Sequence, residues 1–279
     1  MRVPYWKVGY ALLVPLIWCG VGFGGLSLNP RMLHSPPSQS SKSPFKNCKQ
    51  VYLDIGSNIG VQIRKLFEPS RYPGADVIRV FDKHFGVTRN KSQDLCAIGI
   101  EMNPSHTSRL KLLEHHYTST CNYNVKFFTE TAASTHDGFV GFLSDGDHAN
   151  EEWGASTNLV LKDQSVISQT KQIVQSIDIA NFILKELVPH ADTIVIKLDI
   201  EGAEHDVLPR LMMTGALCNV SEIFIELHYW SFSQDQKELM DMATKLYPGF
   251  FSAAGCRVQM SYIDDESYLH DVDASINTC

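Results

Sequence analysis

A short segment near the start of the chain carries residue types suited to ligand binding. Residues 51–60 read VYLDIGSNIG, an apolar run followed by an acid and by two glycines four positions apart. This pattern predicts a strand, a tight loop and the start of a helix, an arrangement that aims backbone N–H groups at a ligand. Gly56 and Gly60 lack the Cβ that would hold the main chain away from that ligand. Asp54, at the strand end, can accept hydrogen bonds from the ligand or brace the loop without touching it.

The spacing of these residues narrows the class of ligand. Nicotinamide-dependent enzymes carry G-x-G-x-x-G after the first strand and wrap a pyrophosphate there, and that pattern is absent here. An acid with fewer glycines suits a neutral or positively charged cofactor without phosphates, and S-adenosylmethionine (SAM) is the candidate. We expect the methionine side of SAM to lie against five residues of the loop: Asp54, Gly56, Ser57, Asn58 and Gly60.

A second apolar run, at residues 95–101, also ends in an acid. A carboxylate at the tip of the second strand is where an open α/β sheet holds a ribose diol, because both hydroxyls can donate to it. We therefore predict that Glu101 binds the ribose and that Met102 packs on the adenine face. The alternative for Glu101 is a surface acid that caps the next helix. Three residues after the third strand are placed to meet the adenine edge: Glu130, Thr131 and Ala132.

A third group of charged residues follows a later apolar run. In a strand, Lys197 and Asp199 face the same side, and Glu201 lies just past the tip. Methyl transfer depends mostly on positioning of the acceptor, and a base helps when that acceptor is a hydroxyl. Asp199, Glu201 and His228 are the candidates for this base or for orienting the acceptor. The alternatives are an ion pair of Lys197 that holds the strand tip and a structural, hydrogen-bonded His228; no metal ligand is assigned, because no spacing demands one.

Taken together, these segments resemble the FkbM family of SAM-dependent methyltransferases. Residues 197–204 read KLDIEGAE and are similar to the family's strand-four signature K-[IVL]-D-[IV]-E-G-x-E. Residues 222–228 (EIFIELH) and 261–269 (SYIDDESYL) resemble its next strand and its C-terminal segment. The resemblance covers roughly residues 49–269. It implies a class I methyltransferase fold and methyl transfer to a hydroxyl of a small molecule or glycan.

The elements that must position these residues alternate between strand and helix patterns. Such alternation predicts an α/β fold, a doubly wound, Rossmann-like and mostly parallel sheet that binds ligands at the carboxyl ends of its strands. The predicted strands are 50–54, 95–101, 124–130, 193–199 and 222–227, with a short added strand at 139–143. The predicted helices are 59–68, 104–117, 176–187, 203–213 and 235–246. Residues 70–94 read as an irregular insertion, 144–165 as a polar loop, and the C-terminal tail as a closing antiparallel hairpin.

The N-terminal region has a different composition. Residues 8–30 carry no charge, and such a run is about long enough to cross a bilayer as a helix. We predict a short N-terminal segment at 1–7, a transmembrane signal-anchor at 8–28, a Ser/Pro-rich stem at 29–47 and the methyltransferase-like domain at 48–279. This order indicates a single-pass, type II membrane protein of the Golgi or endoplasmic reticulum. A cleaved secretion signal is the alternative.

Charge and cysteine content limit the remaining possibilities. The formal charge is −7 and no basic stripe is present, so nucleic acid is not an expected partner. Six cysteines lie outside residues 8–28 and none forms C-x-x-C, which permits disulfides in an oxidising lumen but does not fix their pairing. The alternative function is a non-catalytic binding module of the secretory pathway that retains the methyltransferase fold.

Overall fold

A computed structural model of the chain describes residues 43–143, 171–228, 232–253, 255–263 and 279. The predicted signal-anchor at 8–28, the stem up to residue 42 and the polar loop at 144–165 lie outside the described residues. None of the helices in the described part of the chain has the length and apolar character that a bilayer crossing requires.

The described residues form nine strands in two sheets. The strands are β1 (Gln50–Ile55), β2 (Leu95–Glu101), β3 (Asn124–Thr129), β4 (Thr131–Ser134), β5 (Gly138–Leu143), β6 (Lys171–Asp178), β7 (Thr193–Leu198), β8 (Glu222–Ile225) and β9 (Gln259–Tyr262). The larger sheet has the order β3-β2-β1-β7-β8-β9, and each neighbouring pair is parallel. A smaller sheet has the order β4-β6-β5. The mostly parallel α/β architecture that the sequence predicts is confirmed.

The described residues also form six α-helices, which pack around the larger sheet. They are α1 (Val61–Phe67), α2 (Val77–Phe85), α3 (Thr107–Ser119), α4 (Ile179–Phe182, continued by a π-helical turn at Ile183–Leu187), α5 (Glu204–Met213) and α6 (Gln234–Ala253). Alternate residues of β1 face opposite cores, since Leu53 packs in a cluster with residues of α4, α5 and α6, whereas Tyr52 packs with residues of α1, α2 and α3. This two-sided burial explains why the central strands read as continuous apolar runs.

The structure corrects four assignments of secondary structure that were made from the sequence. The insertion at 70–94 contains α2, whose apolar residues 77, 80, 81 and 85 are buried. The segment 176–187 is not helical from its start, because β6 extends to Asp178, whose side chain then accepts a hydrogen bond from Asn181 N at 3.1 Å and caps α4. A 3₁₀ turn at Pro104–His106 precedes α3. Finally, the sequence predicts an antiparallel hairpin for the tail, but its described strand β9 pairs with β8 in parallel, because the 20 residues of α6 return the chain to the starting end of the sheet. Residues 264–278 of the tail lie outside the described residues.

Three disulfides pair the six cysteines outside residues 8–28. They join Cys48 to Cys96, Cys121 to Cys279, and Cys218 to Cys256. The first connects the residues before β1 to β2, with the two Cα atoms 5.5 Å apart. The other two connect the α3–β3 turn to the C-terminus and the α5–β8 turn to the residues before β9. Each bond therefore closes a loop between segments that are distant in sequence.

Candidate active site

A cleft opens at the carboxyl ends of β1, β2 and β7. It has about 550 Å³ of space between atoms, part of which is open to solvent. Its lining comes from the turns after these three strands and from β4, and consists of Gly56, Asn58, Ile100, Glu101, Met102, His106, Thr131, Ala132, Ala133, Asp199, Ile200, Glu201 and Ala203. The cleft lies where a doubly wound sheet binds ligands, and it brings together acids that are far apart in sequence.

Glu101 connects two of the loops around this cleft. Its Oε2 accepts a hydrogen bond from Asn58 N, and its Oε1 accepts one from Asn103 N, each at 2.7 Å. The side chain is buried, so Glu101 is not the surface acid of the alternative interpretation. A carboxylate has about four lone-pair sites, and two remain for a diol. The ribose-binding role of this residue stays a prediction.

The two glycines of the first loop are required by contacts within the protein. Both have positive φ, +86° at Gly56 and +85° at Gly60. A Cβ at Gly56 would lie 1.6 Å from the carbonyl oxygen of Asp199, and a Cβ at Gly60 would lie 2.7 Å from Leu113 Cδ1. Gly56 also lines the cleft, whereas Gly60 packs on α3. The close approach that we expected toward a ligand is therefore an approach to the neighbouring loop and helix.

Asp54 and Ser57 lie beneath the first loop rather than on the cleft surface. Asp54 is fully buried, and its Oδ2 has no hydrogen-bond partner among the described residues. Burial raises the pKa of Asp54 to about 6, although the nearby Lys197 opposes this. The Ser57 hydroxyl donates to the backbone oxygen of Asp54 at 3.0 Å. Both residues therefore support the loop from inside the protein. Gly56 and Asn58 are the loop residues that line the cleft.

Of the four residues predicted to contact the adenine, the structure places three in the cleft lining. Met102, Thr131 and Ala132 line the cleft, and Met102 packs against an apolar cluster that includes Ala132. Glu130 does not line it. This residue is exposed and accepts a hydrogen bond from Thr107 Oγ1 at 3.2 Å. Glu130 has φ +54°, so its backbone makes the turn between β3 and β4 that carries the next two residues into the cleft.

The predicted catalytic residues converge around His228. Its Nε2 lies 3.6 Å from Asp199 Oδ1, 3.5 Å from Glu201 Oε2 and 3.6 Å from Glu226 Oε1. Its Nδ1 lies 2.9 Å from Glu204 Oε1. The imidazole is therefore held on one side by Glu204 and directs its other nitrogen toward carboxylates at the ends of β7 and β8.

Glu204 fixes both the loop after β7 and the histidine. It is fully buried, and its two carboxylate oxygens accept hydrogen bonds from Ile200 N and Gly202 N, each at 2.9 Å. The interaction with His228 is a third contact of the same carboxylate. Glu204 lies in the first turn of α5, where its negative charge also interacts favourably with the helix dipole. The structure adds a second role, because these bonds also set the position of Glu201 above the cleft.

Burial and charge change the proton affinity of this cluster. Burial lowers the pKa of His228, but the hydrogen bond that its Nδ1–H donates to Glu204 and the charges of Glu204, Glu201 and Asp199 raise it to about 9. Burial raises the pKa of Glu201 to about 8, although His228 opposes this shift. The two groups interact, so their titration belongs to the pair. Near neutral pH the pair holds more protons than the same groups would hold in water.

Lys197 supplies positive charge to the same edge of the sheet. Its Nζ lies 2.6 Å from Asp199 Oδ2 and donates to the Gly56 carbonyl oxygen at 3.1 Å. The geometry matches the alternative interpretation, an ion pair that holds the strand tip. Ligand atoms of Asp199, Glu226 and His228 lie within 4.8 Å of one another, but Lys197 and His228 already compensate these acids.

Two titratable residues of the described site were not singled out in the sequence. Glu226 lies one residue past β8, inside the run that ends at His228, and its position after a strand could have identified it. His106 lines the cleft beside Glu101, although it belongs to no recognisable motif. Its position depends on the 3₁₀ turn before α3, and the sequence instead predicts a regular helix there.

Comparison with known proteins identifies the family of the domain that contains the cleft. The family model described as the methyltransferase FkbM domain matches residues 54–258, which is more than half of the chain. The matched region begins at Asp54 and includes each residue that lines the cleft. No match was found among curated proteins or among solved structures.

Proposed function

The chain belongs to the FkbM methyltransferase family, and from this premise we propose that it is a SAM-dependent methyltransferase acting on a hydroxyl oxygen of a glycan or small molecule. The observation that carries the proposal is the arrangement of the cleft. A buried carboxylate, Glu101, lies in its wall beside apolar residues, and a second set of acids with His228 lies at the ends of β7 and β8.

The lining of the cleft fits the parts of SAM. Glu101 retains acceptor sites for a ribose diol, while Met102 and Ala132 offer apolar surface to an adenine ring. The carboxylate of Asp199, which lines the cleft, offers negative charge that would stabilise a sulfonium cation. Bound SAM would supply an electrophilic methyl group, so the protein need only align the acceptor oxygen and remove its proton.

The Glu201–His228 pair is suited to that proton transfer. Glu201 lines the cleft, and its carboxylate lies 3.5 Å from His228 Nε2. Once ionised, Glu201 can accept the proton of an acceptor hydroxyl. Before this transfer, the imidazolium of His228 balances the negative charge of the Glu201 carboxylate. Glu204 holds the imidazole in place, as a second carboxylate does in many histidine-based sites.

We place the domain in the lumen of the secretory pathway. A charge-free run at residues 8–30 precedes the domain, and three disulfides pair its cysteines. Disulfides of this kind persist in oxidising compartments. A retained signal-anchor gives a type II membrane protein of the Golgi or endoplasmic reticulum, and a cleaved signal would release the same domain into the same lumen.

Cofactor binding is the first test. The full chain, purified in mild detergent, is titrated with SAM and with S-adenosylhomocysteine by calorimetry, beside Glu101→Ala and Asp54→Ala. We expect micromolar-range binding by the parent and a loss of about tenfold or more in each variant. Glu130→Ala is the matched control, because Glu130 is exposed and does not line the cleft. A folded parent that binds neither ligand would refute the proposal.

Transfer itself is tested with SAM that carries an isotopically labelled methyl group. Extracted glycans and small polyols serve as acceptors, and mass spectrometry locates the label. We expect labelled ether products, with transfer lowered about 100-fold in Glu201→Gln while SAM affinity stays the same. Binding of SAM without transfer to any acceptor class would favour the non-catalytic binding module instead.

A further inference from the structure

The end of α3 brings a histidine against one of the three disulfides. The backbone N–H groups of Thr120 and Cys121 both donate to the carbonyl oxygen of His116, at 2.9 and 3.3 Å. This turn ends the helix and brings Cys121 back beside its last turn. The Nε2 of His116 lies 3.4 Å from Cys121 Sγ, which is bonded to Cys279. The His116 ring also packs edge-on against Tyr117, with the ring centroids 5.8 Å apart, and this contact limits its rotation.

These side chains bring together the donor atoms that zinc prefers. The Nε2 of His116 and the Sγ atoms of Cys121 and Cys279 all lie within 4.8 Å of one another. In a tetrahedral zinc site, a histidine nitrogen and a cysteine sulfur are about 3.5 Å apart, because the Zn–N and Zn–S distances are about 2.0 and 2.3 Å. The observed 3.4 Å between His116 Nε2 and Cys121 Sγ is close to that separation.

The surroundings of this bond differ from those of the other two disulfides. Cys48 and Cys96 are buried in the core, where an ion from solvent does not reach them. Cys218 is exposed, but among the described residues no group of three metal-binding side chains includes it or Cys256. By contrast, Cys279 is exposed and His116 is half-buried, so solvent reaches the sulfur and nitrogen atoms of this cluster.

We propose that His116, Cys121 and Cys279 form a zinc-binding site when their disulfide is reduced. The same residues would then hold either a covalent bond or a metal ion. Three protein ligands leave the fourth tetrahedral position to water. In either state residue 279 stays attached to the turn between α3 and β3, so the metal replaces the cross-link that reduction removes.

A dithiol reductant supplies the two electrons for the exchange. Its thiolate attacks the exposed Cys279 Sγ, the S–S bond breaks, and the electron pair leaves on Cys121 Sγ. The second thiol of the reductant then releases Cys279, and the reductant leaves as its own disulfide. The two thiol protons of the reductant end on the two cysteines. Zinc replaces these protons when it binds, and two protons are released.

The inference goes beyond the proposed function and does not depend on it. The turn after α3 leads into the first residue of β3, Asn124, and β3 runs parallel to β2. The cluster therefore lies at the starting end of the larger sheet, whereas the cleft lies at the carboxyl ends of the strands. Loss of the zinc site should leave SAM affinity unchanged, and failure of SAM binding would not affect the zinc site.

The first test measures zinc binding by the full chain in both redox states. The protein is reduced with a phosphine without oxygen, freed of reductant, checked for fold by circular dichroism, and titrated with zinc chloride against a chromogenic chelator. We expect the reduced parent to bind one zinc ion more than the oxidised parent. Cobalt in place of zinc should give the thiolate charge-transfer bands and visible bands of a tetrahedral site.

Variants identify the ligands in the same titration. Cys121→Ser and His116→Ala should each weaken zinc binding by the reduced chain by at least about tenfold. His115→Ala is the matched control, because His115 is exposed and its Nδ1 lies near Ser119 Oγ, and it should bind as the parent does. Cys218→Ser should also bind as the parent does. A reduced, folded parent that gains no zinc would overturn the inference, as would parent-like binding by His116→Ala.

A second variant decides the question if reduction unfolds the chain. Cys121→His cannot form the bond to Cys279, keeps the other two disulfides and offers three ligands without any reductant. We expect it to bind one zinc ion under oxidising conditions, and the added substitution His116→Ala should weaken that binding by at least about tenfold. Absence of binding by the folded Cys121→His protein, or equal binding with and without His116, would overturn the inference.

Discussion

Asp54 is a buried acid that makes stability depend on pH. Its folded-state pKa is about 6 against an ordinary value of 3.8, because burial disfavours the charged form. A raised acid pKa means that the folded state binds the proton more tightly, so the associated stability is complete below pH 3.8 and is lost as pH rises to 6. At neutral pH the ionised, buried carboxylate therefore destabilises the folded state, and the positive charge of Lys197 offsets only part of this effect.

Replacing Asp54 with asparagine should therefore stabilise the ligand-free protein while it weakens SAM binding. We expect the free energy of unfolding of Asp54→Asn to exceed the parent value by about 1–2 kcal/mol at pH 7.5. Near pH 5 the difference should shrink. Urea unfolding at both pH values measures the effect, with Asp241→Asn on the exposed surface of α6 as control. A less stable variant at pH 7.5 would show that the pairing with Lys197 outweighs burial.

The Glu201–His228 pair should control the pH dependence of catalysis. Both pKa values are raised, to about 8 for Glu201 and about 9 for His228. The pair must lose a proton before Glu201 can act as a base, so kcat should rise from pH 6.5 to 9. Glu201→Gln should remove this rise. Steady-state rates across that range give the profile, and Glu130→Gln should keep the parent profile. An unchanged rise in Glu201→Gln would place the base elsewhere.

The same pair makes a separate contribution to folding. A histidine with a raised pKa contributes stability that is fully present below pH 6.5 and is lost as pH rises through 9, and the raised pKa of Glu201 acts in the same direction between pH 4.5 and 8. The melting temperature of the parent should therefore fall between pH 6.5 and 9. His228→Gln, which cannot take up a proton, should show a smaller fall over this interval. Equal slopes would mean that His228 titrates alike in the folded and unfolded states.

At the scale of elements, the number of faces that a strand or helix buries decides how well the sequence predicts its position. The strands β1, β2 and β7 are buried almost throughout, so their apolar runs define them to within one residue. By contrast, α2 buries one face only, and charged residues interrupt its apolar positions. The parallel direction of β9 depends on how far α6 carries the chain, and local sequence does not record that distance.

The residues of the candidate site also differ in how well the sequence predicts their positions. Glu101 ends β2, and Asp199 and Glu201 follow β7. Because parallel strands place their carboxyl ends at one edge of the sheet, the sequence could predict that these three acids lie close together. Glu130 also follows a strand, but its backbone turns at positive φ and its side chain is directed elsewhere. His106 depends on a turn geometry that replaces the first helical turn. Positions set by a strand end are thus readable from sequence, whereas positions set by an irregular turn are not.

The packing of the first loop against β7 gives a test at this scale. In Gly56→Ala the new Cβ would have to share space with the Asp199 carbonyl, and positive φ adds about 1–2 kcal/mol. Gly215→Ala is the matched control, because Gly215 has φ +75° with nothing within 4 Å of its Cβ position. Thermal unfolding should show a much larger loss for Gly56→Ala, by about 3 kcal/mol or more. Similar losses in both variants would mean that the loop moves away from β7 at little cost.

At the scale of the whole molecule, the cysteines connect the fold to the compartment in which it forms. Each of the three bonds closes a loop of 38 to 158 residues, and closing such loops stabilises a folded domain by about 2–4 kcal/mol per bond. In a reducing cytosol these thiols would stay free and that stabilisation would be lost. A chain with this cysteine pairing is therefore expected to need translocation before or during folding.

Translocation can be tested by translating the full chain in the presence of microsomes. We expect the domain to be protected from added protease, to carry six cysteines that resist alkylation until reduced, and to remain in the membrane after carbonate extraction. Release by carbonate with continued protection would identify the cleaved-signal alternative. Digestion from outside, with alkylation of the cysteines before reduction, would place the domain in the cytosol. That result would contradict the proposed location while leaving the cleft and its chemistry intact, because neither Glu101 nor the Glu201–His228 pair depends on which side of the membrane the acceptor occupies.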